Sequence, residues 1–208
     1  MQFVGNPGTG KTTIARYMSR VFSAVGLLEG TDVIEVAGTA LKGSYLGQSK
    51  DAVIRHFTKA REEGKVLFID EAHNLYNATP GHQDSYAQEV IAQIVQETTA
   101  VKNARVFTIL AGYPEEMRRF PETLTIFFPD YTADECLLIL QKRLAQKKLT
   151  LDDEAKPALL EIIETMKRNP KFGNAGSMNN LADQLFDEYV MRDEETKVIT
   201  IEDVEAVR

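Results

Sequence analysis

Short apolar runs alternate with stretches of helical spacing over the first part of the chain. The runs are Phe3-Val4, Val33 to Ala37, Val66 to Ile69, Val106 to Ala111 and Leu124 to Phe128. Runs of this length between helical patterns predict strands of a largely parallel sheet covered by helices. Between the first two, Ile14, Met18, Val21 and Val25 step by four, three and four, which places them on one face of a helix ending near Gly26. Ala52, Val53, Phe57 and Ala60 mark a second helix, and Val90, Ile91, Ile94 and Val95 a third. After Pro129 the pattern becomes helical. Thr132 stands three residues before Glu135, a capping-box spacing, ahead of the stripe Ala133, Leu137, Leu140 and Leu144. Leu159, Ile162, Ile163 and Met166 form a further helix, as do Met178, Leu181, Leu185 and Tyr189. Val198 to Ile201 reads as a short strand before a last helical turn begun by Thr200 or Glu202. The expected organisation is an α/β domain over residues 1–128 and a helical domain over 129–208.

The composition is that of an ordinary globular protein of 208 residues, 43% of them hydrophobic, long enough to bury a sizeable core. Against 31 Asp+Glu stand 24 Lys+Arg, a net charge of −7, which disfavours duplex binding, whose affinity comes largely from neutralising phosphates. Cys136 is the single cysteine and cannot pair within the chain, which fits a reducing compartment. No apolar run approaches the roughly 20 residues of a membrane span. Met1 to Gly5 lack the basic start and apolar stretch of a signal peptide. A soluble, intracellular, cytoplasmic protein is the expectation.

The segment Gly5-Asn6-Pro7-Gly8-Thr9-Gly10-Lys11-Thr12 matches G-x-x-x-x-G-K-[ST] in full and stands between an expected strand and an expected helix. Glycines let successive backbone N–H groups turn toward phosphate oxygens, and the N-terminus of the following helix adds a favourable dipole. Asn6, Pro7, Gly8, Thr9, Gly10, Lys11, Thr12 and Thr13 are the candidate nucleotide contacts. Lys11 suits the β- and γ-phosphates, and the Thr12 hydroxyl suits Mg²⁺.

The strand Val66-Leu67-Phe68-Ile69 ends in two adjacent carboxylates, Asp70 and Glu71. Downstream of a phosphate loop, Asp70 is the candidate for the Mg²⁺ shell and Glu71 the candidate for polarising the attacking water. Asp70-Glu71-Ala72-His73 also spells the DEAH of one helicase group. Such helicases need a second RecA-like domain. Residues 129–208 are too few for one, and no basic track with interleaved aromatics accompanies them. Lys142, Arg143, Lys147 and Lys148 read as a solvated helix face, and His73 as a residue that lines the site or caps a turn. His56 and His82 lie without metal-ligand spacing to a second His or Cys.

An α/β nucleotide domain followed by a small helical domain resembles the AAA+ ATPases. The wording of Gly5 to Thr12, Gly43-Ser44-Tyr45-Leu46-Gly47-Gln48, Leu67 to Ala72, Ala111-Gly112-Tyr113, Phe128-Pro129-Asp130-Tyr131 and Phe172-Gly173-Asn174-Ala175 is similar to the CbbX (CfxQ) group, which includes Rubisco activases of the red lineage and stage V sporulation protein K. The resemblance implies a P-loop AAA+ module with a helical lid, ATP and Mg²⁺ at the phosphate loop, and Glu71 and Lys11 as catalytic residues. It implies a ring, usually a hexamer, that remodels a protein substrate through a central pore gripped by Tyr45 and Leu46. Its partners are then copies of itself or neighbouring AAA+ domains together with a protein substrate, with neither nucleic acid nor membrane.

Three departures from the group bear on hydrolysis. The phrases around Gly112 to Phe120 and Phe120 to Tyr131 run together, sharing an Arg-Phe, where the group inserts a stretch that carries the arginine finger. Arg119 fits either the Arg after the Tyr-Pro phrase or the last Arg of that stretch. Gly176 stands where the group has a sensor Arg, and Asn179 near a second one. Tyr113 falls near a common polar sensor position. The chain also opens four residues before Gly5, as expected of a start at a domain edge. The competing expectation is therefore a degenerate AAA+ domain that binds nucleotide for assembly or regulation, with little hydrolysis.

Overall fold

Residues 1–41, 48–76, 85–99, 106–118, 120, 124–192 and 196–207 are described in the computed structural model of the chain. They fall into two units. One comprises Met1–Gly5 and Gly10–Phe128, the other Asn6–Thr9 and Pro129–Arg208.

The first unit is built on five parallel strands, β1 (Gln2–Gly5), β2 (Val33–Ala37), β3 (Val66–Asp70), β4 (Thr108–Gly112) and β5 (Thr125–Phe128), in the order β2-β3-β4-β1-β5. Helices α1 (Lys11–Ala24), α2 (Gln48–Glu62) and α3 (Ser85–Thr99) lie between strands in sequence, and α4 (Pro114–Met117) is a single turn after β4. Side chains alternate across a strand, so the apolar run of β3 feeds two cores. Leu67 and Ile69 join Val4, Val53, Phe57, Val90 and Ile94 on one face. Val66 and Phe68 join Phe3, Ala15, Ile109 and Ala111 on the other. Fully burying a side chain such as Phe68 is worth about 1.5–3 kcal/mol, which is why this central strand carries no polar residue before Asp70.

The face of α1 differs from its apolar spacing. Ile14, Val21 and Val25 are 40%, 58% and 64% exposed, whereas Ala15 and Ser19 are buried and Met18 and Phe22 pack on the core of that side. Small residues let a helix backbone approach a sheet closely. Ser19 meets the cost of burial by donating its hydroxyl to the Asp32 carbonyl at 2.8 Å.

The second unit packs α5 (Ala133–Gln146), α6 (Lys156–Lys167), α7 (Ala175–Met191) and α8 (Ile201–Ala206) around Leu140, Leu144, Leu159, Ile163, Met178, Leu181 and Leu185. Thr132 and Glu135 form the expected capping box on α5, worth about 1 kcal/mol. Two-residue strands β6 (Thr150–Leu151) and β7 (Val198–Ile199) pair in parallel. The loop after β7 is pinned by Arg192, which donates to Asp203 at 3.0 Å and to the Val198 carbonyl at 3.0 Å, with Asp203 3% exposed. Arg143 and Lys147 both approach Asp183, so part of the cationic run of α5 is engaged within the unit. Among the described residues no helix is long and apolar enough to cross a membrane.

Candidate nucleotide site

In a parallel sheet every strand ends at the same edge, and that edge is where such folds bind ligands. β1 ends there and runs into the Gly5–Thr12 loop, β3 ends there in Asp70-Glu71, and β4 ends there at Gly112. Lys11 and Thr12 of the phosphate loop and Asp70 and Glu71 of β3 thus share one edge of the first unit, and Thr13 follows in the first turn of α1.

Gly5 pairs with Phe128 of β5, and a Cβ on it would overlap the Phe128 carbonyl oxygen and lie 2.8 Å from its Cβ. Only glycine can begin the loop there. Gly10 caps α1 with φ 92° and ψ 12°, no side chain caps that terminus, and its first turn holds no acid. The N-terminus of α1 therefore keeps its partial positive charge for an external anion. The Lys11 ammonium reaches back to the Gly5 carbonyl at 2.9 Å.

The Asp70 carboxylate accepts the N–H of Glu71 at 2.9 Å. Glu71 adopts φ 49°, a left-handed conformation that costs a non-glycine residue roughly 1 kcal/mol or more. Its exposed carboxylate is steadied by the Asn74 side-chain amide at 3.1 Å, and the Asn74 N–H bonds its carbonyl at 2.9 Å. Gly38, after β2, lets this bend approach, since a Cβ there would sit 2.6 Å from the Glu71 carbonyl oxygen. His73 is 8% exposed and packs against Tyr113 with ring centroids 4.3 Å apart and the planes tilted by 43°. Its Nδ1, buried beside Gly112, has no hydrogen-bond partner among the described residues.

The central part of the loop belongs to the second unit, where each residue is held. Asn6 donates to both oxygens of Asp130 at 3.0 Å. The Pro7 carbonyl accepts from the Asn174 amide at 3.1 Å, the Gly8 carbonyl from the Ala175 N–H at 3.3 Å, and the Thr9 carbonyl from the Tyr131 hydroxyl at 3.1 Å. Burial, with Glu135 nearby, pushes the Tyr131 phenol up, which keeps that hydroxyl protonated. Gly8 has φ +72°, and a Cβ on it would overlap the Gly173 carbonyl oxygen. Asp130, Tyr131 and Asn174 stood in the sequence only as words of family phrases. Their polar character beside apolar Phe128 and Phe172 was the one local signal of a role.

The donor set fits a magnesium nucleotide. Hard oxygens from Thr12 and Asp70 suit Mg²⁺, and an uncapped helix terminus behind a glycine-bent loop suits phosphate. Among the described residues no cluster of three His, Cys, Asp or Glu offers an all-protein metal site. The expected pore residues Tyr45 and Leu46 lie outside the described residues, as do Arg119 and His82. Gly176, in the first turn of α7, has open space where a Cβ would stand.

A parallel sheet in this order, with a glycine-rich loop leading from β1 into α1 and an acidic pair ending β3, defines a P-loop nucleoside-triphosphate-binding fold of AAA+ type, followed by a helical lid. The chain belongs to the AAA family: residues 1–128 match the model of the ATPase family associated with various cellular activities, and residues 132–206 match an AAA lid domain. It is 36% identical over 193 residues to a CfxQ homolog of Galdieria sulphuraria, covering 88% of this chain and 62% of that protein. It is 34% identical over 195 residues to the plasmid-encoded CbxX of Cupriavidus necator, covering 88% and 59%. The chloroplastic ribulose bisphosphate carboxylase/oxygenase activase of Cyanidioschyzon merolae is likewise 34% identical over 195 residues, covering 88% and 64%. The chain thus spans about three fifths of the length of these relatives.

Proposed function

We propose that this chain is the ATP-binding module of a protein-remodelling machine that works as a ring, a hexamer in the usual form of the family. The observation that carries the reading is the shared carboxyl edge of the sheet, where Lys11 and Thr12 stand at the end of β1 and Asp70 and Glu71 at the end of β3. In this reading residues 1–128 form the nucleotide domain and 129–208 the lid. Asn6 to Thr13 hold the nucleotide, Lys11 neutralises charge at its terminal phosphates, and Thr12 and Asp70 hold Mg²⁺. The bound metal neutralises charge on the phosphates and orients them. Glu71, in its bent conformation, accepts a proton from the attacking water. Tyr45 and Leu46 grip the substrate protein, the Tyr45 ring giving sequence-tolerant contact. Copies of the chain, or neighbouring AAA+ domains, are the assembly partners. An activase among the relatives supports a protein as the substrate class.

A second reading is favoured by Gly176. A glycine with open space around it supplies no guanidinium, so the module binds nucleotide for assembly and hydrolyses it slowly. Turnover measured against protein concentration, with bound nucleotide quantified alongside, separates the two. Steep activation on self-association is expected of the motor. Tight nucleotide binding with flat, near-zero turnover would establish the switch instead, and absence of bound nucleotide would end both.

A further inference from the structure

Asn174 is completely buried, with φ 50° and ψ −118°. That conformation is the mirror image of one open to every L residue, the first central position of a type II′ turn, and glycine is the residue that adopts it without strain. An L residue persists there only where its surroundings over-determine it. Helix capping does not supply the reason, because Asn174 is the N-cap of α7 and yet its side chain makes no capping bond. The carboxamide is directed elsewhere. Its oxygen accepts the Tyr131 N–H at 3.0 Å, and its nitrogen donates to the Pro7 carbonyl at 3.1 Å and to Asp130 at 2.9 Å.

The consequence lies in peptide geometry. A trans peptide unit points its C=O and its N–H to opposite sides. The carbonyls of Pro7, Gly8 and Thr9 are all engaged by groups from residues 131–175. The next amides along the chain, those of Gly8, Thr9 and Gly10, are thereby turned away from those groups. Carbonyls facing a phosphate would repel it, and amides attract it.

We propose that Asn174 is a positioning residue for phosphate binding. It selects the loop conformation in which successive amides face the anion, and it does so from the lid end of the chain without touching the nucleotide. Asp130 supports it by tying the Asn174 amide and the Asn6 side chain together, and Tyr131 completes the set through its hydroxyl. The inference rests on the reading of Gly5 to Thr12 as a nucleotide site.

The test is calorimetric titration of the full chain with magnesium ADP, beside thermal melts of the ligand-free protein, for the wild type and the variants Asn174→Gly, Asn174→Ala and Tyr131→Phe. Glycine removes the carboxamide and relieves the strained backbone, whereas alanine removes it and keeps the strain. The two are expected to lose affinity equally, by about three- to tenfold, while differing in melting temperature, with alanine the lower. Tyr131→Phe should weaken binding by about two- to fivefold with its ring still packed in the core. If Asn174→Gly binds as the wild type does, or if the affinity losses simply follow the melting temperatures, Asn174 is structural and the proposal fails. If the wild type does not bind magnesium ADP, the nucleotide reading itself falls and the inference goes with it.

Discussion

Replacing Gly8 by alanine adds a single methyl group at the point where the loop has no room. Its Cβ would overlap the Gly173 carbonyl oxygen and stand 3.1 Å from the Ala175 nitrogen and from the Gly173 carbonyl carbon. These are backbone atoms, so no rotamer change relieves the overlap. The left-handed φ costs alanine about 1–2 kcal/mol. Separating the atoms also breaks the bond from the Ala175 N–H to the Gly8 carbonyl, worth about 0.5–1.5 kcal/mol. The sum is about 1.5–3.5 kcal/mol, or roughly a 10- to 300-fold change in an equilibrium constant. Where this cost emerges depends on what gives way. A loop that relaxes transfers it to nucleotide affinity, and a loop held in place transfers it to the stability of the second unit. Magnesium ADP titration and ligand-free thermal unfolding on the same variant therefore capture the total. Retention of affinity within about twofold together with an unchanged melting temperature would refute the crowding argument.

Glu71→Gln keeps the shape that Asn74 steadies but removes the proton acceptor. Turnover should fall by about 10²-fold or more with ADP affinity preserved, and unchanged single-turnover hydrolysis would remove Glu71 from the base role. Gly176→Arg places its Cβ in open space, and the gain in helix propensity from replacing glycine is offset by a cation in the first turn of α7, so stability should change by less than about 1 kcal/mol. If the missing guanidinium limits hydrolysis, turnover rises about tenfold or more, whereas flat turnover with the melting temperature little changed would show that charge at this position is not limiting. Asp203→Ala removes a carboxylate 3% exposed that accepts from the Thr200 N–H and pairs with Arg192, and should cost about 1–3 kcal/mol. A denaturant midpoint within error of the wild type would show the pair to be dispensable.

The phosphate loop and the acidic pair were legible because each is contiguous. The loop is one unbroken string and Asp70-Glu71 one strand end, so spacing alone reveals them. Which face of α1 meets the sheet was not legible from its spacing, for a physical reason. Its wide apolar stripe through Ile14, Val21 and Val25 is exposed, while the sheet is met by small Ala15 and Ser19 with Met18 and Phe22 beside them. Hydrophobic spacing measures where apolar residues recur, not how closely a helix must approach, and close approach here demands small ones. The clasp on the loop was illegible for another reason. Asn174 lies 167 residues from Pro7 and 44 from Asp130, so no local rule connects them. Of the β6–β7 pair, Val198-Ile199 was expected as part of a short strand, whereas Thr150-Leu151 was not, because two residues are too few for a period to show.

Residues Asn6–Thr9 count with the second unit while Gly5 and Gly10 on either side count with the first, so the chain passes from one unit to the other at 5–6, at 9–10 and at 128–129. A ligand that favours one conformation of that four-residue segment must favour, by the same free energy, the arrangement of Asp130, Tyr131 and Asn174 that holds it, since such coupling is reciprocal. Nucleotide binding and the order of the lid's polar cluster are then two readings of one equilibrium. Hydrolysis is different in kind. In the proposed mechanism it draws on Glu71 and on cationic charge at the terminal phosphate, and Glu71 makes no bond to residues 6–9 among those described. On the second reading proposed for Gly176, weak charge there would slow turnover without touching the bonds that Asp130, Tyr131 and Asn174 make to residues 6–9.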